Sequence, residues 1–181
     1  MCSNVIKPLF ETIDAKISDD LLIIESVLSN FYSEDIFIPL KTNFFAGFYV
    51  ISDDVTKQRN YALWKSMWSK SCVYVFVATK IIFFPPGVTK HKNRKVRNAN
   101  EGERVYVGKS EKALKRIHDH FSDSFDDSSL CLGAHPEWKN SLKMFIFILK
   151  CDYSDYKKYI LDKMEELMHK KLDPAIGFSR N

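Results

Sequence analysis

The sequence predicts an α+β fold: a small, mainly antiparallel β-sheet flanked by helices, with a helical and extended addition over residues 1–70. Two observations point there. Apolar runs rich in Val, Phe and Tyr stand at 72–78, 104–108 and 142–149, where each reads as a strand. From residue 72 onward the elements read strand, strand, strand, helix, strand, helix, a mixed unit in which helices pack against one sheet.

The elements follow in order. From Ser18 to Phe31 the sequence predicts a helix, with Ser18 as its cap and Asp19 and Asp20 at its positive end. Leu21, Ile24, Val27, Leu28 and Phe31 recur there at helical spacing. Residues 36–51 read as extended, with Pro39 marking an edge or a break. A second helix is expected over about 54–69, with Leu63, Trp64, Met67 and Trp68 as its apolar face and both tryptophans in the core. The run from Cys72 to Ala78 reads as a buried strand, and Ile81–Phe84 as its hairpin partner, ended by Pro85-Pro86-Gly87. A polar stretch, 88–102, leads to a strand at Arg104–Gly108. Glu111 to Phe121 is a short helix with Ser110 as cap and Leu114, Ile117 and Phe121 facing the core. Residues 122–135 form an acidic, serine-rich loop, and Leu142–Leu149 is another strand. The last helix runs from about Asp155 to Lys171, capped by Ser154 and stopped before Pro174 and Gly177.

Composition narrows the function classes. With 45% apolar and 28% charged residues in 181, the chain can fold around one sizeable core, so disorder is not the default. A formal charge of +4 permits a polyanionic partner without requiring one. The four cysteines, Cys2, Cys72, Cys131 and Cys151, form no CxxC pair and stand beside no histidine at finger spacing, so they read as structural thiols. Met1-Cys2-Ser3-Asn4 lacks the start of a secretory signal, and no stretch approaches the roughly 20 apolar residues of a membrane span. The expectation is a cytoplasmic protein with no membrane partner.

Chemistry-bearing residues fall in the second part of the chain. Arg116 and His120, four apart, share a helix face read as turned away from the core, where guanidinium and imidazole make a phosphate clamp. At about 100° per residue, the last helix centres its apolar stripe on Ile160, Met164, Leu167 and Met168. Glu165 falls at the margin of that stripe, while Glu166 points to the opposite face with Asp162 and His169. Tyr74 and Tyr106 each lie mid-strand, where a tyrosine ordinarily fills volume.

These residues, taken together, resemble the GIY-YIG nucleases. Cys72-Val73-Tyr74 stands where that family has Gly-Ile-Tyr, and Val105-Tyr106-Val107-Gly108 where it has Tyr-Ile-Gly. Gly108 to Arg116 keeps the family's spacing from glycine to arginine, His120 follows four residues later, and Glu165 precedes Pro174 by nine. The resemblance covers about 60% of the chain, residues 71–181. It implies a metal-dependent DNA endonuclease using Mg²⁺ or Mn²⁺, with Glu165 holding the ion. It further implies that Tyr74 orients or deprotonates the water, with Tyr106 in support. Arg116 would stabilise phosphorane charge, and His120 would bind phosphate or move protons. A cation such as Lys109 or Arg116 is expected to lower the phenol pKa into a useful range.

The sequence departs from the pattern twice. The tyrosine motifs lie some thirty residues apart, where the family has about ten, because of an insert at 85–103. The insert carries the densest positive run, and Lys90, Lys92, Arg94, Lys95 and Arg97, together with Lys109, are expected to contact the DNA backbone. Where the family ends its site with asparagine, this chain has Gly177, and the nearest asparagine is Asn181. Restriction or genome defence is the leading role, with a possible homodimer. A repair or junction-specific nuclease is the alternative within the class, and an inactive nucleic-acid-binding module on the same fold is the alternative outside it.

Overall fold

Apolar side chains alternate across the long strands and are buried on both sides, because helices cover both faces of one sheet. The computed structural model describes residues 3–30, 37–51, 69–84, 94–122, 130, 132 and 135–178. Its strands are β1 (Phe37–Pro39), β2 (Phe45–Ile51), β3 (Cys72–Ala78), β4 (Arg94–Val96), β5 (Arg104–Ser110), β6 (Leu142–Leu149) and β7 (Ile176–Phe178). Its helices are α1 (Ser3–Ser29), α2 (Ala113–Phe121), the single turn α3 (Pro136–Lys139) and α4 (Lys157–Leu172), the last preceded by a 3₁₀ segment, Cys151–Tyr156. The strands form one seven-stranded sheet in the order β1-β2-β6-β3-β5-β7-β4. Neighbours are antiparallel except β5 and β7, which run parallel. The α+β class and the small, flanked, mainly antiparallel sheet are therefore as the sequence predicts.

Each face has its own core. On one, Phe48, Val50, Val73, Val75, Val77, Val107, Phe145 and Phe147 pack under Ile17, Ile24 and Leu28 of α1 and Ile160, Met164 and Met168 of α4. On the other, Tyr74, Phe76, Tyr106, Met144 and Ile146 meet Ala113, Ile117 and Phe121 of α2, with Trp138 of α3 at one side. A bulge opposite Phe76–Val77 shifts the β3–β5 register, and Val105 and Tyr106 both join the α2 face.

Residues 37–51 extend this same sheet, since β2 pairs along β6 and β1 forms the outer edge. Pro39 sits in that edge strand, where a missing N–H is tolerated. Asp20 ties the N-terminal helix down: its buried carboxylate accepts the Asn43 and Phe44 N–H groups, both at 2.8 Å. Burial raises the pKa of Asp20, although those N–H bonds oppose the rise.

Several local readings change. The first helix begins at Ser3, so Ser18 is mid-helix and its hydroxyl donates back to the Asp14 carbonyl at 2.9 Å. Ile81–Phe84 is no hairpin partner of β3, whose two sides are taken by β5 and β6; Ile82 makes an isolated bridge to Ala99. The stretch read as polar, 88–102, contains β4, because β7 offers it a partner. α4 starts later than expected, with Tyr156 and not Ser154 at its N-cap position. At the other end Asp173 turns the chain with φ 41° ahead of Pro174. The helix expected over 54–69, with Trp64 and Trp68, lies outside the described residues.

Candidate active site

The strand order decides where each expected site residue goes. β3 is the central strand, so Tyr74 is sealed beneath α2 with 0% exposure. β5 lies nearer the edge, where β7 meets it with Ile176 opposite Tyr106. At that junction a cleft of about 170 Å³ opens, lined by Tyr106, Val107, Lys109, Arg116, Glu165, His169, Ile176 and Gly177. It far exceeds the roughly 10–15 Å³ that one water needs, so a hydrated phosphate-sized group can enter. Because side chains alternate along β5, Tyr106 reaches the cleft from the α2 side and Lys109 from the α4 side.

Three of the five expected catalytic residues, Tyr106, Arg116 and Glu165, line this cleft together. Tyr74 lies behind it. Its hydroxyl oxygen accepts the Arg116 Nε–H at 3.0 Å and bonds His120 Nε2 at 2.8 Å. The Arg116 guanidinium also hydrogen-bonds the Tyr106 phenol. Gly108 lies directly across from Tyr74, and a Cβ there would collide with the phenol ring and its oxygen. The glycine of the second motif is thus a requirement of the buried tyrosine.

Two expectations are corrected here. His120 does not share an outward face with Arg116. It is 0% exposed, with Ala113, Ile117 and Phe121 the other buried residues of α2, and its ring lies 5.3 Å from those of Tyr74, Phe76 and Tyr106. The Leu130 N–H donates to its Nδ1 at 3.0 Å. Nδ1 therefore carries no proton, Nε2–H donates to Tyr74, and the ring is neutral. It cannot act as a cationic phosphate clamp. The other correction concerns Tyr74, whose pKa is pushed well above 10.0 by burial and by Tyr106, against the lowering effect of Arg116. Desolvation of the phenolate outweighs the nearby cation. Arg116 keeps its charge: burial works against it, but the phenol oxygens of Tyr74 and Tyr106 outweigh that cost.

On the α4 side, the Lys109 ammonium sits between Asp162 at 2.5 Å and Glu165 at 2.9 Å. Burial disfavours the ammonium, yet the two carboxylates more than compensate and raise its pKa. Glu165 is 21% exposed at the side chain, at the margin of the apolar stripe as its helical position predicts, and Glu166 pairs with Lys163 on an exposed surface. Asp162 and His169, expected to be solvent-facing with Glu166, are however partly buried. The buried set is Ile160, Leu161, Met164 and Met168, so the helix is rotated toward Leu161. That rotation carries Asp162 against Lys109 and His169 into the cleft. Spacing alone could have found His169, since four residues beyond Glu165 is one turn along the same side.

The basic insert divides. Arg97 is structural, donating to Glu103 at 2.9 Å and to the Asp173 carbonyl at 3.0 Å. Lys95 is half exposed, 3.6 Å from Asp173, in the edge strand that also holds Arg94. Lys90, Lys92 and Asn181 lie outside the described residues. Cys72 is buried and Cys151 exposed, both free, so only Cys72 matches a structural thiol. The chain matches no family model, and no curated protein or solved structure is significantly similar to it.

Proposed function

We propose that the chain is a divalent-metal-dependent DNA endonuclease, as its GIY-YIG-like motifs suggest. The observation that carries this reading is the meeting of Tyr106, Arg116, Lys109 and Glu165 at one cleft, although they come from β5, α2 and α4. A solvated helix face gives no reason for that convergence, whereas binding and cutting a phosphodiester needs it.

The residues fit a cation. Among the described residues no cluster of three His, Cys, Asp or Glu side chains could hold a metal ion. Mg²⁺, however, commonly binds through one or two carboxylates plus substrate phosphate and keeps several waters. Glu165, with Asp162 one turn before it, already faces one cation, the Lys109 ammonium. Glu165 is the proposed ligand, and a bound Mg²⁺ or Mn²⁺ would neutralise charge on the scissile phosphate and the departing 3′ oxygen.

The chain's own residues do the rest. Arg116, held by the phenols of Tyr74 and Tyr106, would bring its guanidinium charge to the phosphate oxygens, where charge grows as the water attacks. Lys109 adds a positive charge on the opposite wall. Tyr106 gives the cleft a phenol that can hydrogen-bond the phosphate or the water. Lys95, on the strand next to β7, extends the positive surface along which a DNA backbone could run.

The test is incubation of supercoiled plasmid with the protein and Mg²⁺ or Mn²⁺. Glu165→Ala and Arg116→Ala should each slow cleavage by about 100-fold or more. Near-native cleavage by either variant removes that residue from the site. Linear product would favour paired cutting by a dimer, and nicked circles a single-strand cut. Parallel reactions on branched DNA separate the restriction and junction readings. Binding without any cleavage would leave an inactive module.

A further inference from the structure

A hydrolytic site needs a group to receive the proton of the attacking water, and the two residues expected to move protons are shut away from the cleft. Tyr74 and His120 have no exposed surface and are bonded to each other. His120 Nδ1 is further held by the Leu130 N–H. The cleft holds another imidazole.

We propose that His169 accepts the proton of the attacking water, an assignment that rests on the nuclease reading above. It lies one helical turn beyond Glu165 and lines the same cleft as Arg116 and Tyr106. Across from it stands Gly177 of β7, also in the cleft wall, and a Cβ at that position would lie 3.8 Å from His169 Nδ1. Gly177 and the imidazole are thus close neighbours in the cleft wall, at ordinary van der Waals distance for a methyl group.

The ionisable groups around the cleft fit this role. Arg116 faces it from α2, Lys109 and Tyr106 from β5, and Glu165 from α4 itself, while β7 contributes only Ile176 and Gly177. Lys109 and Arg116 are held protonated by their partners and cannot accept a proton. Glu165 is engaged by Lys109. Imidazole is the side chain that ordinarily changes charge between about pH 5 and 8.

The step balances. As the water oxygen bonds to phosphorus, its proton passes to neutral His169. The bond from phosphorus to the 3′ oxygen breaks, and the electron pair leaves with that oxygen, which takes a proton from solvent. His169 then returns its proton to bulk water.

The experiment compares wild type, Glu165→Ala, His169→Gln and His169→Ala in plasmid cleavage from pH 5 to 9 with Mg²⁺, and measures DNA binding in the same buffers. His169→Gln should lower the maximal rate by roughly 100-fold with DNA affinity changed less than about threefold. The acid limb of the wild-type profile should disappear in it, and added imidazole should restore part of the activity of His169→Ala. If His169→Gln cuts at near the wild-type rate, His169 is not the acceptor, while the nuclease reading stands. If its rate falls but the profile keeps its shape and imidazole restores nothing, the histidine is structural and the assignment is overturned. If wild type and Glu165→Ala both fail to cut any DNA tested, the nuclease reading fails and the assignment with it.

Discussion

Tyr74 shows how one hydroxyl can matter to a site it does not line. Its oxygen receives both the Arg116 Nε–H and the His120 Nε2–H, so it fixes the guanidinium that faces the cleft. Its own proton stays in place because burial penalises the phenolate. Tyr74→Phe keeps the ring and removes only the oxygen. His120 then loses its acceptor in a buried setting, and the variant should be less stable by about 1–3 kcal/mol. Cleavage should slow because Arg116 loses its tether, while the pH–rate profile keeps the wild-type shape. A profile that lost a limb in Tyr74→Phe would return the proton-accepting role to this phenol.

At the scale of elements, the pairing of β3 with β5 makes that arrangement possible. Tyr74 and Gly108 are directly opposed across the ladder, and the bare glycine backbone makes room for the phenol. Gly108→Ala should cost roughly 1–3 kcal/mol, as overpacking of a dense core does, and should slow cleavage by displacing Tyr74 and Arg116 together. Urea unfolding measures the first effect; an unchanged midpoint would mean that the ring has slack. α4 has a comparable double role. Met164 and Met168 bury one side of it, while Glu165 and His169 on the adjoining side reach the cleft. The N-terminal helix supports α4 from behind, with the Tyr159 hydroxyl donating to Asp14 at 2.7 Å and Phe10 packed on the Tyr159 ring.

For the whole molecule, three buried or bonded acids make folding sensitive to alkali. Burial pushes the Cys72 thiol from 9.0 to about 12 and Tyr74 well above 10.0; the bond to Asp14, aided by burial, takes Tyr159 to about 12. In the unfolded chain these groups lose protons at their ordinary values, while the folded chain retains them. Their stabilising effect is therefore complete below about pH 9 and declines as pH rises toward 12. Urea midpoints measured from pH 8 to 11 should fall progressively, and the fall should be shallower in Tyr74→Phe. A flat series would show that these groups titrate alike in both states.

The sequence by itself determined the fold class, the apolar runs of β3 and β6, and the motif spacing that nominated Tyr106, Arg116 and Glu165. Each of these is written in local periodicity or in residue order, which a linear reading can follow. Strand order, helix rotation and the partners of short strands came only with tertiary structure, because they depend on contacts between distant segments. Central placement of β3 buried Tyr74 and, with it, His120; a rotation of α4 toward Leu161 brought Asp162 against Lys109 and His169 into the cleft. β4 and β7 are three residues each, with β4 pairing on β7 and β7 also on β5, so neither run had a signal of its own. Burial then decided the chemistry of Tyr74, since desolvation disfavours the phenolate more than the neighbouring guanidinium favours it.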